Sequence, residues 1–360
     1  MISDRDLLLS VIQRKREERL FYCAGFAGKA WDKVSEYYGV KDGKEMCSVL
    51  GFMDFHGINP SRKADAPVFD YSRYFTDIKI PDGISINPDG VLSLPAADVH
   101  FTHLISPLRN IFDLDEIKKF PIFKRKEYYD FSDMKAQAAA GHKKNMVVSS
   151  WVGRLFETSW PLRGYENMLA DMLAEPETAE YFLDIEHDWN LAYTEAAARA
   201  GADILYYGDD VGNQNAMTFS AELWREMYKP RWAKTFAAAK KINKNIALWY
   251  HSCGNVTDII PDLIEIGLDI LNPIQPECMD IYAVQKKYGD KISFDGGLGT
   301  QRLLPWGTAA EVKKEVENLV NVFGKNGGFI LSPAHVIEPE VPIENIKAFV
   351  DTARAKCNGK

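Results

Sequence analysis

The sequence predicts an α/β protein that folds as a single (β/α)8 barrel, the TIM barrel, with a β-containing extension in its N-terminal part. In the last two thirds of the 360 residues, short apolar runs and helical patterns alternate six times. At least one further apolar run, Leu20–Phe26, precedes this region. No glycine-rich phosphate-binding fingerprint follows any of these runs, which argues against a nucleotide-binding, doubly wound sheet.

The first hundred residues predict three helices and the first strand of the barrel. Their expected positions are 4–19, 29–38 and 44–50 for the helices and 20–26 for the strand. Between about residue 52 and residue 99 no clean helical pattern occurs, and turn sequences such as Asn87-Pro-Asp-Gly90 separate short mixed segments. We therefore expect one domain over residues 1–360, in which residues 52–99 form an inserted, β-containing cap on one end of the barrel.

From residue 145 onward, strands and helices are expected to alternate in a regular order. The predicted strands are 145–152, 203–207, 247–250, 269–271, 292–294 and 329–331. The predicted helices are 162–174, 176–201, 220–241, 258–266, 281–288, 308–323 and 343–355. Ser220 caps the third of these helices, in which Pro230 predicts a kink. Thr308 and Glu311 form a capping box at the start of the sixth helix.

Composition restricts the partners and the location of the protein. The net charge of -8 argues against a general nucleic-acid or anionic-membrane surface. No apolar run reaches the ~18 residues of a membrane span, and the first residues do not form a signal peptide. The five cysteines are scattered and odd in number, which indicates reduced thiols. We expect a cytoplasmic protein that binds neither nucleic acid nor membranes.

The segment Asn245–Gly254 is the most informative part of the chain, because an apolar strand pattern ends there in His251 and Cys253. Imidazole and thiolate are both good ligands for zinc, and parallel strands of a barrel end at the rim that carries the chemistry. His335, which directly follows the last strand, is the natural third ligand. Two histidines, one thiolate and an open fourth position would make a catalytic zinc site. The spacing leaves open a buried thiol that packs beside a hydrogen-bonded histidine.

Other polar residues also follow predicted strands. Asp209 and Asp210 are adjacent, so in an extended segment only one of them can face the barrel mouth. The other suits a helix cap or a bridge between loops. Gln275 or Glu277, after the strand at 269–271, would be able to supply an oxygen ligand to a metal.

These segments resemble the uroporphyrinogen decarboxylase superfamily. The matching motifs are Trp151-Val-Gly-Arg-Leu-Phe-Glu157, Leu162-Arg-Gly, Gly208-Asp-Asp-Val-Gly, His251-Ser-Cys-Gly-Asn-Val, Gly296-Gly with Gln301, Ile330-Leu-Ser-Pro-Ala-His335 and Pro342-Ile-Glu-Asn-Ile. The resemblance covers about residues 100–356 and implies the (β/α)8 barrel.

The superfamily has two chemical branches. Its decarboxylases carry an Arg-Gln-Ala-Gly-Arg-Tyr-like segment that grips substrate carboxylates, and the comparable stretch here, Phe21–Lys29, lacks both arginines. His335 does match a histidine of the decarboxylases. The corrinoid-linked methyltransferases that act on coenzyme M hold zinc with a His-x-Cys pair and a later Cys. His251 and Cys253 match this pair, and the later Cys falls at His335.

The resemblance therefore implies a methyltransferase that moves a methyl group between a small methylated substrate and a corrinoid (cobalamin). The corrinoid would come from a separate partner protein, since the chain has no Asp-x-His-x-x-Gly corrinoid-binding sequence. A zinc ion on His251, Cys253 and His335, or a carboxylic acid at Asp209 or Asp210, would assist the leaving group.

The candidate pocket is largely aromatic. We expect the substrate to contact Tyr22, Phe26, Trp151, Phe156, Tyr165, Asn213 and Gln275. Two alternatives remain open: a decarboxylase of a porphyrinogen or another carboxylated aromatic, with His335 among its catalytic residues, and a non-catalytic accessory protein that binds a tetrapyrrole or corrinoid. A homodimer is also left open.

Overall fold

A computed structural model of the protein describes residues 3–14, 20–95, 102–325 and 327–357. In chain order its strands are β1 (Phe21–Tyr22), β2 (Phe55–Gly57), β3 (Ser61–Arg62), β4 (Leu92–Pro95), β5 (Thr102–Ile105), β6 (Tyr129–Asp130), β7 (Val147–Gly153), β8 (Ile204–Gly208), β9 (Ala247–His251), β10 (Ile270–Ile274), β11 (Ser293–Leu298) and β12 (Phe329–Pro333).

The described residues contain fifteen α-helices. They are α1 (Asp4–Ile12), α2 (Gly28–Tyr38), α3 (Gly43–Leu50), α4 (Leu114–Ile117), α5 (Met134–Lys143), α6 (Phe156–Arg163), α7 (Tyr165–Ala174), α8 (Pro176–Ala200), α9 (Ala221–Met227), α10 (Lys229–Ile242), α11 (Ile260–Glu265), α12 (Ile281–Tyr288), α13 (Leu303–Trp306), α14 (Ala309–Phe323) and α15 (Ile343–Cys357). Short 3-10 helices occupy Ser72–Phe75, Pro121–Tyr128 and Thr257–Ile259.

Eight strands form one parallel sheet in the order β1-β12-β11-β10-β9-β8-β7-β2. Apart from the four short strands β3 to β6, this is the order of the chain itself, as a (β/α)8 barrel requires. The predicted barrel is therefore confirmed, and all six strands predicted after residue 145 are present. Within the described ranges, no hydrogen-bonded ladder joins β1 to β2.

Helix α1 covers the amino-terminal end of the barrel, and its contacts show that the strands of the sheet are arranged in a ring. Its Leu8, Val11 and Ile12 are buried in one cluster with residues from six different strands, Phe21, Val147, Ile204, Ala247, Ile270 and Ile330. The carbonyl of Ile12 also accepts a hydrogen bond from Ser293 Oγ of β11 at 2.7 Å. One short helix reaches all of these strands because their ends form a ring. The predicted helix over 4–19 ends at Ile12, and residues 15–19 lie outside the described chain.

The outer face of the sheet packs against the surrounding helices. Tyr207 of β8 is fully buried, with its ring centroid 5.6 Å from that of Trp232 and 5.0 Å from that of Phe236, both in α10. The helix predicted over 220–241 is divided into α9 and α10, with Pro230 in the first turn of α10. Proline has no N–H to donate in a helix interior, so a new helix begins at this point.

The segment predicted as a cap starts later than expected. Phe55–Gly57 is β2, which pairs in parallel with β7, so these residues belong to the barrel and the predicted boundary at residue 52 is wrong. Two antiparallel pairs follow, β3 with β6 and β4 with β5. The predicted turn at 87–90 is present, because Asn87 Oδ1 accepts the N–H groups of Asp89 and Val91. That this segment caps one end of the barrel stays a prediction, and residues 96–99 are outside the described ranges.

None of the helices formed by the described residues combines the length and the apolar character that crossing a bilayer requires.

Candidate active site

The loops that follow β8 and β9 are in direct backbone contact. Gly254, at φ +84°, lies so close to Gly212 that a Cβ atom on Gly254 would be 2.4 Å from the carbonyl carbon of Gly212. The N–H of Asn255 donates to the carbonyl of Asn213 at 2.8 Å, and the N–H of Asp209 donates to the carbonyl of His251 at 2.9 Å. Only glycine fits both the positive φ and this approach. The two loops therefore present their side chains to the same point at the carboxyl end of the barrel.

Asp209 and Asp210 point in different directions, and only Asp210 reaches this point. The fully buried carboxylate of Asp209 accepts the N–H groups of Leu155 (2.9 Å) and Glu157 (3.1 Å) at the start of α6. Burial raises the pKa of Asp209, an effect that these N–H donors oppose. Asp209 is thus the bridge between β8 and α6. Asp210, whose side chain is 38% exposed, accepts the N–H of Cys253 at 2.8 Å.

Asp210, His251 and Cys253 form the group of described residues whose ligand atoms converge within 4.8 Å of one another. His251 Nε2 lies 3.5 Å from Asp210 Oδ1 and 3.5 Å from Cys253 Sγ. A tetrahedral zinc ion with ordinary bond lengths sets its oxygen, nitrogen and sulfur ligands ~3.4–3.6 Å apart. The two distances from His251 Nε2 therefore match the spacing of zinc ligands, and all three ligand atoms lie within 4.8 Å of one another. The donor set of carboxylate, imidazole and thiol is also one that zinc accepts.

The protonation state of the Cys253 thiol indicates that the site is suited to a bound cation. Burial, followed by the charge of Asp210, raises the pKa of the Cys253 thiol far above its usual range. A thiol in such surroundings stays protonated and is a poor nucleophile. A bound cation reverses the local electrostatics and deprotonates a coordinating thiol. The carboxylate of Asp210, which adds to the effect of burial on the thiol, would thus also attract a metal ion.

A chain of hydrogen bonds orients the imidazole from behind. His251 Nδ1 lies 2.6 Å from Asn272 Oδ1, and Asn272 Nδ2 donates to the carboxylate of Asp295. Ser332 Oγ donates to the other oxygen of Asp295 at 2.6 Å. These residues stand on β9, β10, β11 and β12, so neighbouring strands set their spacing. Burial raises the pKa of Asp295 to about 7.

A second group of charges stands on the other side of Asp210. Glu157 Oε2 accepts the N–H of Asp210 at 3.0 Å and lies 3.1 Å from Arg154 Nε. Burial and the charge of Asp210 raise the pKa of Glu157. The guanidinium of Arg154 lies 5.0 Å from the centroid of the Trp151 ring. A guanidinium on an aromatic face is suited to an anionic or polar group of a substrate.

His335, the predicted third ligand, does not belong to the converging group. Its side chain is 50% exposed, and Nδ1 lies 4.0 Å from Glu338 Oε1 in the loop after β12. Gln275 and Glu277 already have other partners. Gln275 Oε1 accepts the N–H of Gly254, and Glu277 Oε1 accepts the N–H of Gln301. The third potential ligand group in this geometry is the carboxylate of Asp210.

Of the predicted aromatic contacts, Trp151 is the one beside the converging group. Its ring is 40% exposed and stacks on Tyr206 at a centroid distance of 6.1 Å. A Cβ atom on Gly208 would lie 3.4 Å from Trp151 Cη2 and 3.4 Å from His251 Cβ. The missing side chain at position 208 thus leaves space between the tryptophan and the histidine.

The other predicted contact residues lie elsewhere. Tyr22 is buried in the outer core and donates to the carbonyl of Leu50, and Phe26 stacks on Phe52. Phe156 is buried against Phe219 and Tyr228. Tyr165 lines a separate cavity of about 660 Å³ with Trp160 and Arg109, and Asn213 closes its own loop through the N–H groups of Asn215 and Ala216. An aromatic side chain near a strand end can point to the core or to the mouth, and the sequence does not distinguish them.

No role was predicted for four residues of the site: Arg154, Glu157, Asn272 and Asp295. Arg154 follows β7 and Glu157 lies in the first turn of α6, whereas Asn272 and Asp295 lie within β10 and β11. Asn272 and Asp295 directly follow the strands predicted at 269–271 and 292–294, and this position was the available signal. Their partners could be assigned only once the order of the strands placed β10 and β11 beside β9.

Comparison with known proteins places most of the chain in one family. Residues 107–356 match the family model described as uroporphyrinogen decarboxylase (URO-D). The chain is 27% identical over 197 residues to the methylated-thiol--coenzyme M methyltransferase of Methanosarcina mazei, which covers 54% of this chain and 49% of that protein. It is 29% identical over 171 residues to the methylcobamide:CoM methyltransferase MtaA of Methanosarcina barkeri, covering 48% and 47%.

A uroporphyrinogen decarboxylase from Hydrogenobaculum sp. is 26% identical over 168 residues, covering 47% of this chain and 46% of that protein. The matches thus span about half the length of these curated relatives. Among solved structures, a methyltransferase from Methanosarcina mazei superposes with a TM-score of 0.65 at 17% identity, covering 99% of both chains. That likeness establishes the common fold. Because the family model matches 250 consecutive residues, the chain belongs to the uroporphyrinogen decarboxylase (URO-D) family.

Proposed function

We propose that this protein is a methyltransferase that moves a methyl group between a small methylated substrate and a corrinoid carried by a partner protein. The observation that carries the proposal is the convergence of Asp210, His251 and Cys253, with the spacing of zinc ligands, at the carboxyl ends of β8 and β9. Two relatives whose names describe methyl transfer to coenzyme M support the same chemistry.

In this proposal Asp210, His251 and Cys253 hold a zinc ion, and a fourth position stays open to substrate. The zinc ion would supply a Lewis acid that polarises the heteroatom exchanging the methyl group. Protein side chains would position the zinc ion. Asp210 accepts a hydrogen bond from the N–H of Cys253 and so holds that loop in place, and Asn272 fixes the ring of His251. The corrinoid would supply the cobalt that carries the methyl group between the two reactants.

The substrate side of the site favours a small molecule with a polar or anionic end. The space left by Gly208 lies between Trp151 and His251, and Arg154 stands on the Trp151 ring. A small substrate would pack against Trp151, direct its anionic end to Arg154 and its heteroatom to the zinc ligands. This arrangement would hold the heteroatom in place before the corrinoid protein docks.

A decarboxylase of the kind found among the relatives has less support. Multiple substrate carboxylates need several guanidinium groups, and the Phe21–Lys29 stretch that supplies arginines in decarboxylases has none. Within that stretch, Tyr22 and Phe26 pack into the outer core. In the described part of the chain, Arg154 is the arginine linked to Asp210, because Glu157 contacts both residues.

The test separates Asp210 from His335 as the third ligand. Zinc content and affinity are measured for the wild-type protein and for Asp210→Ala, Cys253→Ala and His335→Ala. We expect one zinc ion per chain, loss of tight binding in the first two variants, and retention in His335→Ala. Zinc loss in His335→Ala with retention in Asp210→Ala would refute the proposed ligand set.

The reaction is tested with the zinc-loaded protein in both directions. Cob(I)alamin is mixed with methylated thiols and ethers, and methylcobalamin is mixed with small thiols that include coenzyme M. Formation or loss of methyl-Co(III) is followed in the visible spectrum. We expect methyl transfer that depends on Cys253. Release of carbon dioxide from uroporphyrinogen, without any methyl transfer, would select the decarboxylase instead.

A further inference from the structure

The hydrogen-bond chain behind His251 has a direction. At about pH 8, above its pKa of about 7, Asp295 is ionised and has oxygen acceptors only, and one of its oxygens already accepts from Ser332 Oγ at 2.6 Å. The neighbouring group of Asn272 must therefore be its NH2, as the contact between Asn272 Nδ2 and Asp295 Oδ2 shows. The opposite orientation of the amide would set two acceptors against each other without a proton between them. Asp295 thus fixes which end of Asn272 faces His251.

The amide in turn fixes the imidazole. Asn272 presents its carbonyl oxygen to His251 Nδ1 at 2.6 Å, and a carbonyl oxygen only accepts. His251 Nδ1 therefore carries the hydrogen. In a neutral imidazole this leaves a lone pair on Nε2, the atom that lies 3.5 Å from both Asp210 Oδ1 and Cys253 Sγ.

We propose that Asn272 and Asp295 are positioning residues that set the tautomer of His251 and so keep its Nε2 lone pair free for a ligand. The direction of the chain runs across three neighbouring strands, from Asp295 on β11 through Asn272 on β10 to His251 on β9. Partners of this kind orient metal-binding histidines and are worth about 10–100-fold in metal affinity. The value of the tautomer rests on the proposed zinc function, whereas the tautomer itself does not.

Two variants of Asp295 distinguish direction from simple packing. Asn in place of Asp295 keeps one oxygen that can accept from Asn272, and its own NH2 can turn to Ser332 Oγ. Leu in that place removes the acceptor, which frees the Asn272 amide to turn over and present its NH2 to His251. The imidazole would then accept at Nδ1 and carry its hydrogen on Nε2. The positioning role therefore predicts that Asp295→Asn keeps the tautomer and Asp295→Leu loses it.

The experiment records the ring nitrogens of 15N-histidine-labelled, chelator-treated full-length protein by NMR at about pH 8, where an ordinary histidine is neutral. His251→Gln identifies the signals of His251 among the 7 histidines. We expect the wild type and Asp295→Asn to carry the hydrogen on Nδ1. In Asn272→Leu and Asp295→Leu, the hydrogen should be found largely on Nε2. A second measurement, zinc titration, should show about 10–100-fold weaker binding for Asn272→Leu.

Asn345→Leu serves as the matched control. Asn345 is a buried asparagine that donates to the carbonyls of Leu304 and Gly307 beside α13, so its loss should lower stability without changing the tautomer. A wild-type His251 with its hydrogen on Nε2 would overturn the proposal, as would an unchanged tautomer in Asn272→Leu. If the tautomers are as expected and no zinc binds, the proposed function fails and the positioning role stands.

Discussion

The two ends of strand β8 carry aspartates with opposite tasks. At the amino end, Asp203 accepts from Arg5 at 2.5 and 2.9 Å, from the N–H of Val148 at 2.9 Å, and lies 3.1 Å from His142 Nε2. At the carboxyl end, Asp210 faces His251 and Cys253, which are both potential metal ligands. One carboxylate is surrounded by donors and locks the base of the barrel. The other lies beside an imidazole and a thiol that would bind a cation together with it. The residue that stabilises the fold and the residue suited to chemistry are therefore separated by the five residues of β8.

The largest expected effect is the loss of zinc binding at the carboxyl end. Asp210→Ala should lower zinc affinity by about 1,000-fold, because one of three protein ligands is removed. The free energy of unfolding of the metal-free protein should fall by about 1 kcal/mol, since the hydrogen bond from the N–H of Cys253 is lost. Competition with a chromogenic chelator measures the affinity, and urea denaturation measures the stability. Unchanged zinc affinity would contradict the comparison of the two ends.

The amino end should respond in the opposite way. Asp203→Ala leaves Arg5 and the N–H of Val148 without their acceptor, and we expect the free energy of unfolding to fall by about 3 kcal/mol with zinc affinity unchanged. Asp184→Ala is the matched control, because Asp184 pairs with Arg231 at the surface and should contribute less than about 1 kcal/mol. Equal losses in the two variants would show that Asp203 is no more than a surface partner.

A pH dependence should belong to the carboxyl end as well. The pKa of Asp295 is raised by burial to about 7, so between about pH 4 and pH 7 the folded protein retains a proton that the unfolded chain releases. Stability attributable to Asp295 must therefore decrease as pH rises, by up to about 1.4 kcal/mol per pH unit. Cys23, directly after β1, and Tyr206 on β8 also face Asp295, and burial raises the pKa of both, so they stay protonated in this range.

Asp295→Asn removes this titration. From pH 5 to pH 8, the stability of the variant relative to the wild type should rise by about 2.6 kcal/mol. Urea denaturation of both proteins at the two pH values gives the double difference, in which titrations elsewhere in the chain cancel. A double difference near zero, or one of opposite sign, would show that Asp295 is ionised in the folded protein throughout this range.

Local patterns in the sequence were sufficient for the barrel and for part of the site. The alternation of strands and helices, and the strand end at His251 and Cys253, follow from periodicity within short segments. The third ligand group depends on which of two adjacent aspartates turns inward. That choice is made by the N–H groups of Leu155 and Glu157, which bind Asp209 from a different strand–helix unit. His335 was a reasonable candidate by position, but its side chain turns toward Glu338.

The smallest expected effect is at the rim, where Trp151 should affect substrate binding without affecting the metal. Trp151 is 40% exposed and packs on Tyr206, so Trp151→Ala removes an aromatic wall and the face on which Arg154 lies. An aromatic contact of this kind is worth about 1 kcal/mol, which corresponds to an increase in KM of about fivefold. Zinc affinity should be the same as in the wild type, because no ligand atom is changed. Trp306→Ala, at a tryptophan that is 75% exposed in α13, is the control and should leave KM unchanged. If Trp151→Ala weakened zinc binding instead, substrate binding at the rim and metal binding by the ligand group would depend on each other. The residues at the carboxyl end of β8 would then not act independently of one another, and the contrast between a stabilising amino end and a functional carboxyl end would be refuted.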